Sequence, residues 1–382
     1  MIKGIYLLPE NDCLKPASGP NRHYVEGLKE LQRHFEVKPV HIFEDAAPEV
    51  ADTAQPKPAK SQSLKSKLLK WGLFGSLRDI KFFLKNHYRF FKYYKKIKAE
   101  KPDFIFERAA YLNYNGLLIS KMLKIPHFYE VNGLMAEEMK SFYRSWMLPL
   151  ARYVQRQTLQ RSTFCFCVGD LGKHLRMRTN NHKAIQNGIE TEFIEQFTGT
   201  QKSVNGVIKL VWVGKAMVHH RLDLFVDALK QLRHPEKIEV YFIGERVQEY
   251  LSDAVPANIK THYLGPILHE ELPPVLEKMH VGIVPFILEF GSNLKLFLYG
   301  ASRQLIIAPK VENIGKVFNE EEILYFDQYD TKQMAARIDQ VVEQPALLQQ
   351  YSERIYDKVS DKYTWQKIYT EIAEDIKKYL PR

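Results

Sequence analysis

The residues best suited to hold a phosphate group lie between Val281 and Pro309, in the stretch VGIVPFILEFGSNLKLFLYGASRQLIIAP. It reads as an apolar strand over 281–285, a polar loop from Glu289 to Asn293, a helix, and a second strand over 305–308. Ser292 and Asn293 each carry a side-chain oxygen able to accept a bond from an orphan N–H at a helix start. Gly291 would let the backbone come close to whatever occupies that turn. Unpaired N–H groups, the positive end of the helix dipole and the Lys295 ammonium in the first turn together describe an anion site. Other chemically capable residues fall at strand ends: Glu107 and Arg108, Glu130 with Asn132, Gly214 with Lys215, and Gly244 with Glu245. His219, His220 and Arg221 lead into a helix. Near the start, a strand, a loop with Gly19 and a helix follow in phosphate-cradling order, although one glycine describes an ordinary strand-to-helix turn equally well.

The elements that must position these residues alternate strand and helix. Strands are predicted over 3–8, 37–42, 102–106, 126–131, 163–168 and 184–189, and again over 207–213, 239–243, 259–264, 281–285, 305–308 and 323–326. Helical patterns separate most of them, which makes parallel sheets with right-handed crossovers. The fold class is therefore α/β, with two doubly wound Rossmann-like domains. In such sheets ligands bind where strands end and helices begin. The polar stretch 198–206 marks the boundary, giving domains over 1–200 and 201–360 and a final amphipathic helix over 361–382.

Apolar residues make up 45% of the chain and aromatic residues 12%, which indicates a well-packed globular protein. Cys13, Cys165 and Cys167 are too few and too badly spaced for a disulfide framework or a structural zinc site. Cys165 and Cys167 alternate with Phe164, Phe166 and Val168 as a buried strand would, and a reducing, cytoplasmic compartment is expected. The first residues hold too short an apolar run for a secretory signal, and no run approaches the roughly 18 apolar residues of a membrane span. A formal charge of +10 favours anionic partners. Much of it is concentrated between Lys57 and Lys101, with fourteen Lys or Arg against two acids. Within that segment Phe83, Phe90, Phe91, Tyr94 and Ile97 recur at helical spacing, with Lys81, Lys85, Arg89, Lys92 and Lys96 on another face. A basic helix with aromatic residues suits peripheral attachment to an anionic membrane surface, with Lys81, Lys85, Arg89, Lys92, Phe90 and Phe91 as its contacts. The alternative is that the aromatic face packs on the domain's own sheet. Nucleic acid is not expected as a partner, because no recognition module accompanies the lysines.

The order of motifs resembles the nucleotide-sugar glycosyltransferases of the GT-B fold, and glycosyltransferase family 4 (group 1) in particular. The resemblance spans nearly the whole chain: Gly19, ERAAYLNYNG, IPHFYEVNG, QNGIETEFI, VWVGKAMVHHRLDLFVDAL, YFIGE, HYLGPILHEELPPVLEKMHVGIVPF, LKLFLYGASRQLIIAP and the YTW tail. It implies two domains facing a central cleft, a donor nucleotide on the second, an acceptor on the first, and a last helix that crosses back to the first domain. Lys215 matches the cation that neutralises the donor diphosphate, and the second such cation falls at His220 with Arg221 adjacent. Gly214, Gly244, Glu245, Tyr263 and Leu264 match segments around the nucleotide, and Gly291, Ser292, Asn293, Leu294 and Lys295 match the phosphate loop. Glu107, Arg108 and Asn132 fall near the acceptor and reacting sugar, with Asn132, Glu130, Lys215 and Lys295 as the catalytic candidates. The donor would be a substrate, with no cofactor and no metal, and transfer would be retaining. The basic aromatic helix, read as a membrane contact, makes a lipid-linked or surface polysaccharide glycan the expected acceptor.

Two departures stand out. Leu298 replaces the glutamate that holds the ribose, a role Glu289 could take only by a different loop path. Asn132 replaces a histidine, and an amide cannot act as a general base. Glu130 could equally be a structural partner of Arg108. A catalytically inactive GT-B scaffold that lost the ribose contact at Leu298 is the alternative reading.

Overall fold

The structure, a computed structural model, describes residues 1–9, 19–41, 72–142, 144–177, 180–202, 204–289 and 292–380. Gly291, Cys13 and the 57–71 part of the basic segment fall outside the described residues. The chain divides into two compact units, one formed by residues 1–185 with 369–382 and the other by residues 186–368.

In the first unit, β1 (Lys3–Leu8), β2 (Glu36–His41), β3 (Phe104–Arg108), β4 (His127–Val131), β5 (Phe164–Val168) and β6 (His182–Ile185) form one sheet. Their order is β2-β1-β3-β4-β5-β6, and every pairing is parallel. β3 and β4 are buried along their whole length, as expected of parallel strands covered on both faces. The helix Gly72–Glu100 covers part of one face, placing Phe90, Tyr93 and Ile97 in a core with Ile5, Leu7 and Ile105.

The second unit is also a six-stranded parallel sheet, formed by β7 (Ile208–Val213), β8 (Ile238–Ile243), β9 (Lys260–Gly265), β10 (Val281–Ile283), β11 (Leu305–Pro309) and β12 (Leu324–Phe326). The order β12-β11-β10-β7-β8-β9 puts its topological switch between β7 and β10, where the chain leaves one side of β7 and returns on the other. The corresponding switch of the first unit lies between β1 and β3.

Two expectations are corrected. Residues 186–200 belong to the second unit, because Ile189, Phe193, Ile194 and Phe197 are buried in its core with Leu276 and Met279. Residues 361–368 belong there too, with Tyr363 and Trp365 bonded through their backbones to Ile189. The single helix expected over 268–278 is two short turns, His269–Glu271 and Pro273–Leu276. Pro273 and Pro274 lack the N–H groups that would carry one helix through.

Candidate functional site

The loops that follow β7, β8 and β9 are tied side by side. The Gly214 N–H donates to the Ile243 carbonyl at 2.8 Å, the Gly244 N–H to the Gly265 carbonyl at 2.7 Å, and the Ala216 N–H to the Glu245 carbonyl at 3.0 Å. Gly244 has φ +137°, and a Cβ there would meet the Gly214 oxygen at 1.9 Å, so this approach admits only glycine. On the other side of β7, β10 pairs only as far as Gly282 opposite Val211. Beyond that point the Val213 N–H donates instead to the Tyr299 hydroxyl at 2.9 Å. The Tyr299 ring fills the space over Gly282, where a Cβ would lie 2.4 Å from it. One buried tyrosine thereby fixes the helix Leu294–Ala301 against the end of β7.

Asn293 caps that helix by accepting the Lys295 N–H at 3.0 Å. The cap therefore uses one of the N–H groups that the sequence suggested for an anion. Ser292 is held from the loop after β6: the Asn187 N–H donates to its hydroxyl at 3.0 Å, and the Asn187 amide donates to its carbonyl at 2.8 Å. Leu294 and Lys295 follow directly, and Lys295 reaches back to β7. Its Nζ lies 5.2 Å from the centre of the Trp212 ring and 3.3 Å from where a Cβ on Gly214 would be. Among the described residues this ammonium has no carboxylate partner, and burial pushes its pKa down to about 8.

His220 lies beside it. Its Nδ1–H donates to the Lys215 carbonyl at 2.7 Å, and its ring packs against His219 and Trp212 at 4.4 and 5.5 Å between centroids. Burial, then the Lys295 charge, then His219 push its pKa down to about 3. His219 is lowered by burial and Lys295 in the same way. His220 is therefore a neutral imidazole at pH 7, which corrects its expected role as a second cation. The Arg221 guanidinium is held bidentately by Asp223 at 3.0 and 2.7 Å and lies over the Tyr329 ring. Lys215 and Glu245 pair with each other at 2.7 Å, both about half exposed. Tyr263 stacks on Phe242 at 5.4 Å, while Leu264 and Glu289 are exposed. Leu298 packs against the apolar core of the second unit, which explains why an apolar residue is stable at that position.

In the first unit the carboxylates have structural work, which corrects two assignments. Glu130 is fully buried and receives five donors: His23 Nε2 at 2.8 Å, Tyr369 at 2.7 Å, Tyr6 at 3.1 Å, and Arg108 and Asn132 both at 3.3 Å. Burial alone would raise its pKa, but His23, Arg108 and Tyr369 together hold it well below the carboxylate range. Such a group holds no lone pair ready for a substrate proton, so Glu130 is a positioning residue. Glu107 is also fully buried. It accepts from Asn113 at 2.7 Å, the Gly116 N–H at 3.1 Å and His127 at 2.9 Å, anchoring the start of the helix Asn115–Leu123 rather than facing a sugar. Asn132 remains partly exposed at the carboxyl end of β4. Gly19 opens the helix Gly19–Gln32. Of the basic-helix residues, Lys81, Lys85, Lys92 and Phe91 are exposed and Arg89 is half-buried. Phe90 is buried in the unit's own core, so it is not a surface contact.

The paired six-stranded sheets are those of the GT-B fold of glycosyltransferases. Residues 221–374 match the family model described as "Glycosyl transferase-like". Sucrose-phosphate synthase from Thermosynechococcus elongatus superposes with a TM-score of 0.71 at 15% identity, over 98% of both chains. A glycosyltransferase from Rickettsia africae gives 0.69 at 12% identity over 99% of this chain and 98% of that one. HepE of Anabaena, solved in complex with UDP, gives 0.66 at 12% identity over 99% of this chain and all of that one. No curated protein matches by sequence.

Asn187, His219 and Trp212 were not marked as site residues by the sequence. Asn187 stands in QNGIE, a turn whose polar residues gave a signal but no address; only the fold brings it to Ser292.

Proposed function

We propose that this chain is a glycosyltransferase that moves a sugar from a nucleoside diphosphate donor to a lipid-linked or surface polysaccharide glycan. It would work in the cytoplasm, peripherally on the inner face of the cell membrane. The observation that carries the reading is Lys295: a half-buried ammonium with no carboxylate partner among the described residues, beside the glycine turn of β7, at the switch point of a doubly wound sheet. As the glycosidic bond breaks, the leaving diphosphate gains charge, and a fixed cation nearby stabilises that state more than the ground state. Lys215 is a second cation within the same group of loops once Glu245 releases it. With two lysines to offset the charge, the reaction proceeds without a metal ion, and EDTA should leave donor binding unchanged.

Transfer is retaining in this reading: the leaving phosphate takes the acceptor proton, so Asn132 need only orient a hydroxyl. HepE, solved with UDP-glucose as well as UDP, makes uridine the first base to test. A thermal-shift screen with UDP, GDP, ADP and CMP should give one stabilising nucleotide, and the effect should be lost in Lys295→Met. A second reading, a GT-B scaffold without transfer, draws on Leu298, whose packing leaves no carboxylate for a ribose. Silence with every nucleotide would favour it.

A further inference from the structure

The helix Gly72–Glu100 has two apolar faces, not one. Tyr93, Ile97 and Phe90 face the sheet. On the opposite side Leu73, Leu77, Ile80, Leu84, Tyr88 and Phe91 follow each other at intervals of three or four residues, which lines them up along one stripe. Each of the six is between 41% and 80% exposed. The stripe is about 27 Å long at the helical rise. Arg78, Lys81, Lys85 and Lys92, all exposed, run along one border of it. Trp146, itself 71% exposed, stands at its amino end, where a Cβ on Gly72 would lie 2.9 Å from the indole nitrogen.

We infer that this stripe enters the hydrocarbon edge of an anionic lipid monolayer, with the helix lying in the membrane plane. The inference rests on the membrane-surface part of the reading above and deepens it: the attachment is insertion of side chains, not charge attraction alone. Leucine, isoleucine and phenylalanine in a row gain little from headgroups and much from leaving water. The lysine and arginine border stands at the height where anionic headgroups would lie, and a tryptophan beside the stripe is the side chain suited to that boundary. Charge also weighs against an antiparallel pairing with a second copy of the chain. Two stripes zipped in that sense would bring their basic borders alongside each other, and like charges at those positions oppose pairing.

The test uses the full chain and vesicles of phosphatidylcholine with and without phosphatidylglycerol. Wild type should sediment with the anionic vesicles and stay bound as salt is raised. In a Trp71→Phe background, which removes the tryptophan just before the helix, the tryptophan emission should shift to the blue and lose that shift in Trp146→Phe. Trp212 and Trp365 are buried and should not respond. Leu77→Ser combined with Leu84→Ser should weaken binding at least about tenfold while leaving a UDP-induced thermal shift intact. Lys81→Gln with Lys85→Gln should instead reduce the preference for anionic lipid. Binding that vanishes in salt with no emission shift would overturn insertion while leaving surface attraction. Absence of binding to any vesicle would overturn both. A wild-type dimer that the leucine variant converts to monomer would assign the stripe to a second copy. Membrane binding without a nucleotide response would sink the transferase reading and leave this inference standing.

Discussion

The carboxyl ends of the two sheets treat a charge in opposite ways. At the end of β4, the Glu130 carboxylate is met by five donors, one of them the Tyr369 hydroxyl from the last helix. At the end of β7, the Lys295 side chain is half-buried, with its ammonium over Trp212 and no carboxylate partner among the described residues. Both sheets are parallel with a switch point, although their strand orders differ, and the difference in how each end treats its charge lies in the side chains that the loops deliver. A satisfied charge raises the cost of unfolding and offers little to a ligand. An unsatisfied one is tolerated at a cost, marked by its lowered pKa, and a ligand anion would remove that cost. The first arrangement holds structure together; the second leaves a charge that an anion would stabilise.

The largest test of this contrast is Glu130→Ala. It would leave His23, Tyr369 and Arg108 buried around a hole, and breaking such a network should cost about 3–5 kcal/mol in chemical denaturation. A change below about 1 kcal/mol would mean that solvent replaces the carboxylate, and the contrast would fail. The acid limb adds a sign. Glu130 has a depressed folded-state pKa, so its contribution is present above the ordinary carboxylate range and is lost as pH falls through its folded value. Wild type should therefore lose stability toward acid, and Glu130→Gln should flatten that slope.

Next in size is Lys295→Met. If the ammonium is held at a cost, the variant should be as stable as wild type or slightly more so. Nucleotide affinity should nevertheless fall by about 2–4 kcal/mol, the range for loss of a charge partner at a phosphate. Calorimetry with UDP together with a melting curve reads both quantities. A variant that melts early and binds normally would reverse the roles assigned to the two ends.

The fold was legible because its signals are local. Most strands of the parallel sheets are short apolar runs, the outlying β2, β6 and β9 being more polar, and twelve strands separated by helical patterns leave few other architectures. The start of the helix Leu294–Ala301 was legible too: Asn293 caps it, as its side-chain oxygen suggested, and Lys295 stands in its first turn. What could not be read was pairing at a distance. Glu130 next to a glycine turn looks like an acid near a substrate until Tyr369, more than two hundred positions away, is seen to donate to it. His220 looks like a cation until its burial, and then Lys295 beside it, are seen to hold it neutral. The exposed stripe of the long helix was missed because a helix with two apolar faces gives no clean period, and which face meets the sheet is a tertiary fact.

His220 offers a sharper probe of the cationic end. Its pKa of about 3 against an ordinary 6.5 comes from burial first and Lys295 second. Lys295→Met should therefore raise it toward 6.5, as followed by the ring-proton shifts in NMR, and a bound diphosphate should act in the same direction by offsetting the charge. The linkage sign follows. An unfolded chain takes up this proton first as pH falls below 6.5, so folded stability drops between 6.5 and about 3, and less so in the variant. An unmoved His220 resonance would show that burial alone sets its pKa and that Lys295 does not act on it.

The smallest expected effect concerns Lys215. Its partner Glu245 stands 2.7 Å away with both side chains about half exposed, so the pair contributes little to folding. Exposed pairs of this kind are worth about 0–1 kcal/mol and weaken with salt. Glu245→Gln should therefore leave the melting temperature unchanged. Its effect should appear in donor binding instead. In wild type a diphosphate must compete with Glu245 for the Lys215 ammonium, whereas in the variant that ammonium is already available. Affinity for UDP should rise a few-fold at low salt, and the gain should shrink as salt screens the competing carboxylate in wild type. Weaker binding in Glu245→Gln would mean that the carboxylate itself contacts the nucleotide, and that Lys215 depends on it for position.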